Sequence, residues 1–419
     1  MKLIIKNVFI LDPENNISSN GTIYIENGVF SAPFEPDSDT RIIDGSGLTA
    51  APGLVDLHVH LRDPGQTQKE DILSGCRAAA AGGVTSLLAM PNTVPAVDSP
   101  ETVSYILEKA KGADAHVYAV GAITKGLKSE TPTDIEALYK AGISALSDDG
   151  YPVKNTAYMV HAMRTAARLG IPVTAHCEDP YLAGGKINEG EISEMLGVKG
   201  MPRAAEDAGT AREISLAAAY DLPVHICHVS TYTSADMIRD AKKRGVKVTA
   251  ETAPHYLMLT EKELLRKDAD YRMNPPLRTE KDRLAMIKAL CDGTIDAIAT
   301  DHAPHTPEEK SDFVSAPNGS VGMETSFAAA YTVLVDGGYL TEAQLIEKMS
   351  SNPAKILGIK AGTLSVGAPA DIFLYAKEKW TVEPDRLHGK SRNTPFKGLT
   401  LSAKVKLTVC GGKIVYSEL

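Results

Sequence analysis

Cysteine is scarce in this sequence. The 419 residues include only five cysteines, at scattered positions and without a C-x-x-C pair: Cys76, Cys177, Cys227, Cys291 and Cys410. An odd, scattered set argues against a disulfide framework or a zinc ribbon and favours a reducing compartment. We interpret Cys177 and Cys227, which adjoin candidate ligand residues, as small buried hydrophobic side chains.

The sequence also lacks a basic surplus and long apolar runs. Lys and Arg total 44 against 53 Asp and Glu, a net charge of −9, which argues against a nucleic-acid partner. No window approaches the roughly 20 apolar residues of a membrane helix. The first apolar run is interrupted by Lys6 and Asn7 and has no small-residue cleavage site, so it predicts a strand rather than a signal peptide. We therefore expect a cytoplasmic protein.

Both ends of the chain carry strand patterns. The first fifty residues contain KLIIKNVFI and TIYIENGVF, and the last sixty contain ADIFLYA and KVKLTVCGGKIVYSEL. The pairs Asn27-Gly28 and Gly411-Gly412 are typical of tight turns between strands. These patterns predict one small β-sandwich domain, formed jointly by residues 1–51 and 360–419.

The middle of the chain, residues 52–359, alternates strand and helix patterns. Neither G-x-G-x-x-G nor a P-loop is present, so the main sequence signals for a nucleotide-binding fold are missing. Helical patterns that often end in Gly separate eight apolar runs, near 54–60, 85–91, 116–122, 143–149, 172–178, 223–229, 247–253 and 296–301. This order predicts an α/β protein with a TIM-like (β/α)8 barrel.

Imidazoles and carboxylates recur where these strands end. His58 and His60 are two residues apart, so both side chains leave the first strand on the same side. Further candidates follow the fourth, fifth, sixth and eighth strands: Asp148, Asp149, His176, His228 and Asp301. Since the carboxyl ends of barrel strands form one rim, the pattern predicts a site for a divalent metal such as zinc.

Each candidate also has a structural explanation. Asp148 or Asp149 could be a turn residue or helix N-cap before Gly150, and strand alternation allows only one of them to face the barrel. His176 and His228 could be hydrogen-bonded core histidines. His225 lies three positions before His228 and should face the opposite side of an ideal strand, so we interpret it as structural.

The motifs together resemble a known family. In chain order, PGLVDLHVHLRDPG, AMPNTVP, SDDG, AHCED, HICHVS, AETAPHY, NPPLR and ATDHAPH look like dihydroorotases of the amidohydrolase superfamily. The resemblance covers essentially the whole chain, including the split β domain. SDDG points to the bacterial branch in which an aspartate, rather than a carboxylated lysine, bridges two metal ions.

The resemblance implies two zinc ions per subunit and six ligands: His58, His60, Asp149, His176, His228 and Asp301. Asp149 would bridge the ions, and Asp301 would also act as the proton shuttle. It further implies seven substrate contacts: His60, Arg62, Asn92, Asn274, His305, Asn318 and Gly319.

Two of these implied substrate contacts are Arg62 and Asn318. Arg62 offers a planar fork suited to a carboxylate, although it could instead form a surface salt bridge. Asn318 stands where many relatives carry an aromatic residue.

The polar, proline-containing segment 303–325 is predicted to be a mobile lid over the site.

The implied reaction is the reversible hydrolysis of (S)-dihydroorotate to N-carbamoyl-L-aspartate in pyrimidine biosynthesis. The resemblance also implies a homodimer, and an association with aspartate carbamoyltransferase is conceivable. Two alternatives stay open: another cyclic amidohydrolase, such as a hydantoinase or allantoinase, and a non-catalytic scaffold. A scaffold would typically have lost metal ligands, whereas all six candidates are present here.

Overall fold

The computed structural model describes residues 2–419. The strands are β1 Lys2–Asp12, β2 Ile17–Glu26, β3 Val29–Phe30, β4 Thr40–Asp44, β5 Thr49–Pro52, β6 Leu54–Val59, β7 Val84–Ala89, β8 His116–Gly121, β9 Ile143–Leu146, β10 Thr174–Ala175, β11 Ile187–Asn188, β12 Gly200–Met201, β13 Val224–Ile226, β14 Val248–Thr252, β15 Ala297–Ile298, β16 Ile372–Thr381, β17 Thr400–Cys410 and β18 Lys413–Ser417. The α-helices are α1 Ile72–Ala81, α2 Pro100–Lys109, α3 Ile135–Ala141, α4 Thr156–Leu169, α5 Glu191–Leu196, α6 Ala204–Tyr220, α7 Tyr232–Lys243, α8 Pro254–Met258, α9 Glu280–Cys291, α10 Met323–Ala330, α11 Glu342–Ile346 and α12 Asn352–Leu357.

Strands from both termini form one sheet, as the sequence predicts. Its order is β18-β17-β16-β5-β1-β2-β3, with β4 also paired to β1. An antiparallel bridge joins Val29 in β3 to Pro369, just before β16. The sheet therefore curls around its own apolar core. The predicted turn pair Asn27-Gly28 has φ values of 54° and 83°, as a tight hairpin turn requires.

The eight predicted barrel strands are all confirmed. They form two parallel runs, β6-β7-β8-β9 and β10-β13-β14-β15. Parallel bridges join Leu146 to Val173 and Val59 to His302, which link the two runs on both sides and close the barrel. All eight carboxyl ends therefore meet on one rim, where barrel active sites lie.

Local sequence signals define the helices between these strands. The side chains of Asp134 and Asn155 accept backbone N–H groups at the starts of α3 and α4. The same helices end at Gly142 and Gly170, whose φ values of 112° and 73° suit glycine. These caps stop each helix close to its following strand and so fix where the strand begins.

The predicted division at 51/52 and 359/360 stays a proposal. It lies one residue before the end of β5 and two residues after α12. Among the helices described in residues 2–419, none combines the length and apolar composition needed to cross a membrane.

Candidate metal centre and active site

The six predicted metal ligands converge at the carboxyl rim of the barrel. All six are buried, with at most 7% of their surface exposed. His58 lies in β6 and His60 follows it, where the His60 N–H donates to the His302 carbonyl at 2.8 Å. This bond ties the end of the first barrel strand to the segment after the last one, next to Asp301.

His58, His60, Asp149 and Asp301 form the first half of this metal centre. Nε2 of His58 lies 3.2 Å from Oδ1 of Asp149. Nε2 of His60 lies 3.2 Å from Oδ1 of Asp301 and 3.5 Å from Oδ2 of Asp149. Two imidazoles and two carboxylates thus direct ligand atoms towards one small volume.

His176 and His228 form the second half, on the other side of Asp149. Nδ1 of His176 lies 2.9 Å from Nε2 of His228. These nitrogens lie 3.5 and 3.8 Å, respectively, from Oδ1 of Asp149. Asp149 therefore contacts both pairs of histidines, as a bridging ligand must.

The electrostatics of this centre suit a cation. Burial favours the neutral acid, but the charge of His58 and the close contacts with His176 and His228 hold the pKa of Asp149 well below its usual value. Burial likewise opposes ionisation of Asp301, yet contacts with His60 and His58 lower its pKa to about 2. Both carboxylates are thus anionic at neutral pH, which favours a cation between them.

Unsatisfied polar atoms also indicate that a metal fits. Nε2 of His58 and Oδ1 of Asp149 are buried without a hydrogen-bond partner, although they are only 3.2 Å apart. A buried polar atom without a partner is costly, and a divalent cation between the two would satisfy both. Imidazole and carboxylate donors in this number match the preferences of zinc and similar ions.

Asp148 has a different role from its neighbour. Its carboxylate accepts the backbone N–H groups of Ile123 and Thr124 at 2.7 and 3.1 Å, and also the Thr124 hydroxyl. Burial raises its pKa to about 6 despite these bonds. Asp148 therefore ties the loop after β9 to the loop after β8, which holds Asp149 in the centre.

A cavity of about 400 Å³ lies above the metal centre. Its lining includes every substrate contact implied by the resemblance: His60, Arg62, Asn92, Asn274, His305, Asn318 and Gly319. Its size is that of a small-molecule site. The fold thus brings these seven residues together around one cavity, while their contacts with a substrate stay a prediction.

Arg62 does not form the surface salt bridge that was the alternative. It is 9% exposed, and its Nε donates to the Pro304 carbonyl at 3.2 Å. Among residues 2–419, no carboxylate oxygen lies within 4.0 Å of its guanidinium nitrogens. A buried guanidinium that faces a cavity and has no direct ion-pair partner is suited to bind an anion.

The predicted lid segment is held against the barrel at its far end. Gly319 N–H donates to the Arg272 carbonyl at 2.9 Å, and the Arg272 guanidinium donates to Val314 O and to Asn318 Oδ1, both at 2.9 Å. His305 Nε2 lies 2.9 Å from the Asn318 carbonyl. A Cβ on Gly319 would approach Ala303 Cβ to 2.7 Å, so only glycine fits there.

Three residues of the site have unusual backbone conformations. Arg62, His228 and Asp301 have φ values of 60°, 34° and 49°, a region that L-residues other than glycine rarely occupy. Such conformations concentrate at functional sites because the surrounding structure must impose them. Here they turn the three side chains towards the cavity and the metal centre.

Two acidic residues of the site were missed by the sequence analysis. Glu178 lies 3.5 Å from Nε2 of His176 and accepts a hydrogen bond from Asn274 Nδ2 at 2.9 Å. Glu251 lies 3.2 Å from Nδ1 of His58. A signal for Glu178 was available, since it follows His176 by two residues in AHCED.

Comparison with known proteins agrees with this architecture. The Amidohydrolase family matches residues 49–415. Curated proteins named dihydroorotase are 49% identical in Geobacter metallireducens, over 100% of both chains, and 45% identical in Clostridioides difficile, over 99% of this chain and 100% of that protein.

Solved structures share the fold. An L-hydantoinase (dihydropyrimidinase) from Arthrobacter aurescens has a TM-score of 0.88 at 23% identity, over 99% of this chain and 96% of that one, which is evidence for the fold alone. A D-hydantoinase (dihydropyrimidinase) from Thermus sp. has a TM-score of 0.85 at 26% identity, over 99% of this chain and 95% of that one. The family match and the full-length curated relatives together show that this chain belongs to the amidohydrolase family, among its dihydroorotases.

Proposed function

We propose that this protein is a dihydroorotase, which reversibly hydrolyses (S)-dihydroorotate to N-carbamoyl-L-aspartate for pyrimidine (UMP) biosynthesis. The observation that carries the proposal is the pairing of two opposite poles in one cavity. Predicted metal ligands, among them the carboxylates of Asp149 and Asp301, line its floor. The guanidinium of Arg62, which has no direct ion-pair partner in residues 2–419, lines its wall. A small cyclic amide that bears a carboxylate matches both poles.

Zinc ions would occupy the floor of this cavity. His58, His60 and Asp301 would hold one ion, His176 and His228 a second, and Asp149 would bridge them. When bound, such ions lower the pKa of an attacking water and polarise the ring carbonyl. The orphaned Nε2 of His58 and Oδ1 of Asp149 support this assignment.

Asp301 would move the proton of the reaction. Its low pKa keeps it ionised at neutral pH, and its Oδ1 lies at the cavity floor, 3.2 Å from His60 Nε2. The carboxylate can therefore accept a proton from the attacking water. As the ring C–N bond breaks and the new C–O bond forms, the same oxygen returns that proton to the leaving nitrogen.

The other lining residues would orient the ring. Arg62 and Asn92 would bind the substrate carboxylate, and Asn92 is itself placed by a 2.8 Å contact between its Oδ1 and Nδ1 of His60. Asn274, His305 and the Asn318–Gly319 backbone would contact the ring or the carboxylate. Such positioning lowers the barrier because it holds the reacting carbonyl over the metal centre before attack.

A substrate comparison tests the proposal. The purified protein, reconstituted with zinc, is assayed with dihydroorotate, hydantoin and allantoin. We expect turnover of dihydroorotate and little of the other two, because neither offers a carboxylate to Arg62. Absence of dihydroorotate turnover by metal-loaded protein would refute the proposal.

A hydantoinase activity is the second candidate, since the similar solved structures are hydantoinases. Faster turnover of hydantoin than of dihydroorotate would favour it. Failure to bind zinc, together with no activity, would favour a non-catalytic scaffold instead. Arg62→Met would separate the first two candidates, because only turnover of the carboxylate substrate should suffer.

The predicted assembly and location are part of this proposal. A homodimer is testable by sedimentation of the metal-loaded protein. Association with an aspartate carbamoyltransferase is testable by co-sedimentation of the two purified enzymes. The cytoplasmic location stays a prediction, testable by fractionation of the source cells.

A further inference from the structure

Glu251 is a fully buried carboxylate without a basic partner. It lies in β14 and has no exposed surface. Among residues 2–419, no lysine or arginine nitrogen lies within 4.0 Å of its oxygens, and its charged-group contacts are two histidines. Because an isolated buried carboxylate is expensive, these imidazoles must compensate it.

The two contacts place Glu251 between His58 and a second histidine. Oε1 of Glu251 lies 3.2 Å from Nδ1 of His58. Oε2 lies 3.2 Å from Nε2 of His225, a close electrostatic contact rather than an aligned hydrogen bond. Nδ1 of His225 lies 2.9 Å from the Thr249 hydroxyl oxygen. A buried polar chain thus runs from Thr249 to the predicted metal ligand His58.

The protons in this chain can be assigned without conflict. If Nε2 of His58 is the metal-ligand atom, Nδ1 must carry the ring proton and donate it to Glu251. Nε2 of His225 would carry the ring proton and face the other carboxylate oxygen across the 3.2 Å contact. Its Nδ1 then accepts the hydroxyl proton of Thr249. With a metal ion on Nε2 of His58, this assignment holds each ring in a single tautomer.

The two histidines of the first metal position therefore have different supports. Nδ1 of His60 meets the neutral amide oxygen of Asn92 at 2.8 Å, whereas Nδ1 of His58 meets a carboxylate. A carboxylate behind a metal-binding imidazole orients the ring and makes it a more basic ligand.

From this geometry we infer that Glu251, supported by His225, is a positioning residue for the metal centre. It fixes the tautomer and orientation of His58 and so strengthens zinc binding at the first metal position. The inference rests on the proposed function, because it takes His58 to be a zinc ligand. Glu251 itself touches neither substrate nor metal.

The test measures zinc retention in Glu251→Gln. This variant keeps the size of the side chain but removes its charge. Zinc transfer from the loaded protein to a chromophoric chelator is followed alongside KM and kcat for dihydroorotate. We expect zinc affinity at one of the two positions to fall about 10- to 100-fold. KM measured in excess zinc should change much less, because the cavity wall is untouched.

Glu213→Gln is the matched control. Glu213 is 1% exposed in α6 and pairs with Arg212, and it forms no hydrogen bond or ion pair with a predicted ligand. The control should lower thermal stability without weakening zinc binding. If folded Glu251→Gln retains zinc within twofold of the unaltered protein, the inference is wrong. If the unaltered protein binds no zinc, the proposed function fails as well.

A second pair of variants covers the case in which Glu251→Gln does not fold. His225→Ala leaves one carboxylate oxygen of Glu251 unpaired, while His225→Gln supplies an N–H donor again. We expect several-fold weaker zinc retention in His225→Ala and partial recovery in His225→Gln. Equal retention in both variants and in the unaltered protein would overturn the inference.

Discussion

Replacement of Arg272 is the change that best tests whether segment 303–325 must be ordered for substrate binding. Arg272 is 1% exposed, and its guanidinium donates to Val314 O and Asn318 Oδ1, both at 2.9 Å. Arg272→Met keeps the apolar stem and removes these donors. The change should therefore release the end of the segment that carries Asn318 and Gly319.

The magnitude follows from these contacts. A hydrogen bond to a charged group contributes about 1.5–3 kcal/mol, so the bonds to Val314 and Asn318 contribute about 3–6 kcal/mol before the desolvation of the guanidinium is counted. A third bond, which the guanidinium donates to the Phe313 carbonyl, adds to this sum. Desolvation offsets part of this gain, because burial disfavours the charged form and lowers the pKa of Arg272. We expect a net loss of about 2–3 kcal/mol in loop stability and a rise in KM of about tenfold or more.

Two assays on the metal-loaded protein check this expectation. Amide hydrogen exchange should accelerate in residues 310–319, and KM for dihydroorotate should rise far more than kcat falls, because Asp301 is untouched. Unchanged exchange in this segment together with a KM within twofold would refute the reasoning.

Arg278→Met provides the control for burial of an arginine. Arg278 is 3% exposed and donates to Asn188 Oδ1 at 2.8 Å and Ser230 Oγ at 3.0 Å, neither of which belongs to segment 303–325. Its loss leaves Glu206 without its ion-pair partner at 3.2 Å, so thermal stability should fall at least as much. Exchange in residues 310–319 should nevertheless stay as in the unaltered protein.

Three further predictions concern single side chains. Asp301→Asn should lower kcat by about 100-fold or more while the other five predicted ligands retain some metal; metal analysis with steady-state kinetics checks both, and near-normal turnover would contradict the assigned role. Arg62→Ala should raise KM about tenfold or more with a smaller change in kcat, and an unchanged KM would remove Arg62 from the substrate site. The hydrogen bond that His116 donates to Asp371 raises the pKa of His116 to about 10, so this pair stabilises the folded protein fully below pH 6.5 and the effect is lost as pH rises through 10. Since the His116 side chain is 42% exposed, His116→Gln should cost at most about 1 kcal/mol at pH 6, and a Tm difference that does not shrink towards pH 10 would contradict this.

The fold was predictable because its signals are local. Each barrel strand is an apolar run, and several follow a helix that ends in glycine, such as Gly142 or Gly170. The hairpin turns at Asn27-Gly28 and Gly411-Gly412 have the positive φ values that these residues favour. Neither feature depends on distant contacts, so the sequence alone was enough to place the elements in order.

The site was harder to predict because strand alternation fails just beyond the strands. β9 ends at Leu146, so Asp148 and Asp149 lie in a loop, and only the family resemblance distinguished them. β13 ends at Ile226, and the positive φ of His228 turns its side chain in a way that no alternation rule anticipates. His225 was interpreted as structural, yet its ring contacts a carboxylate that supports His58.

The contact between Glu251 and His58 could not be predicted from the sequence alone. The sequence placed it correctly inside a predicted strand, but its contact is with His58 on β6, two places away around the closed barrel. Inward-facing side chains of alternate barrel strands share a layer, so the first and seventh strands can meet in this way. The height of that layer depends on the stagger between strands, which periodicity in a single sequence does not contain. Barrel closure therefore decides whether Glu251 faces His58 or an apolar layer, and here it sets a carboxylate behind a predicted metal ligand.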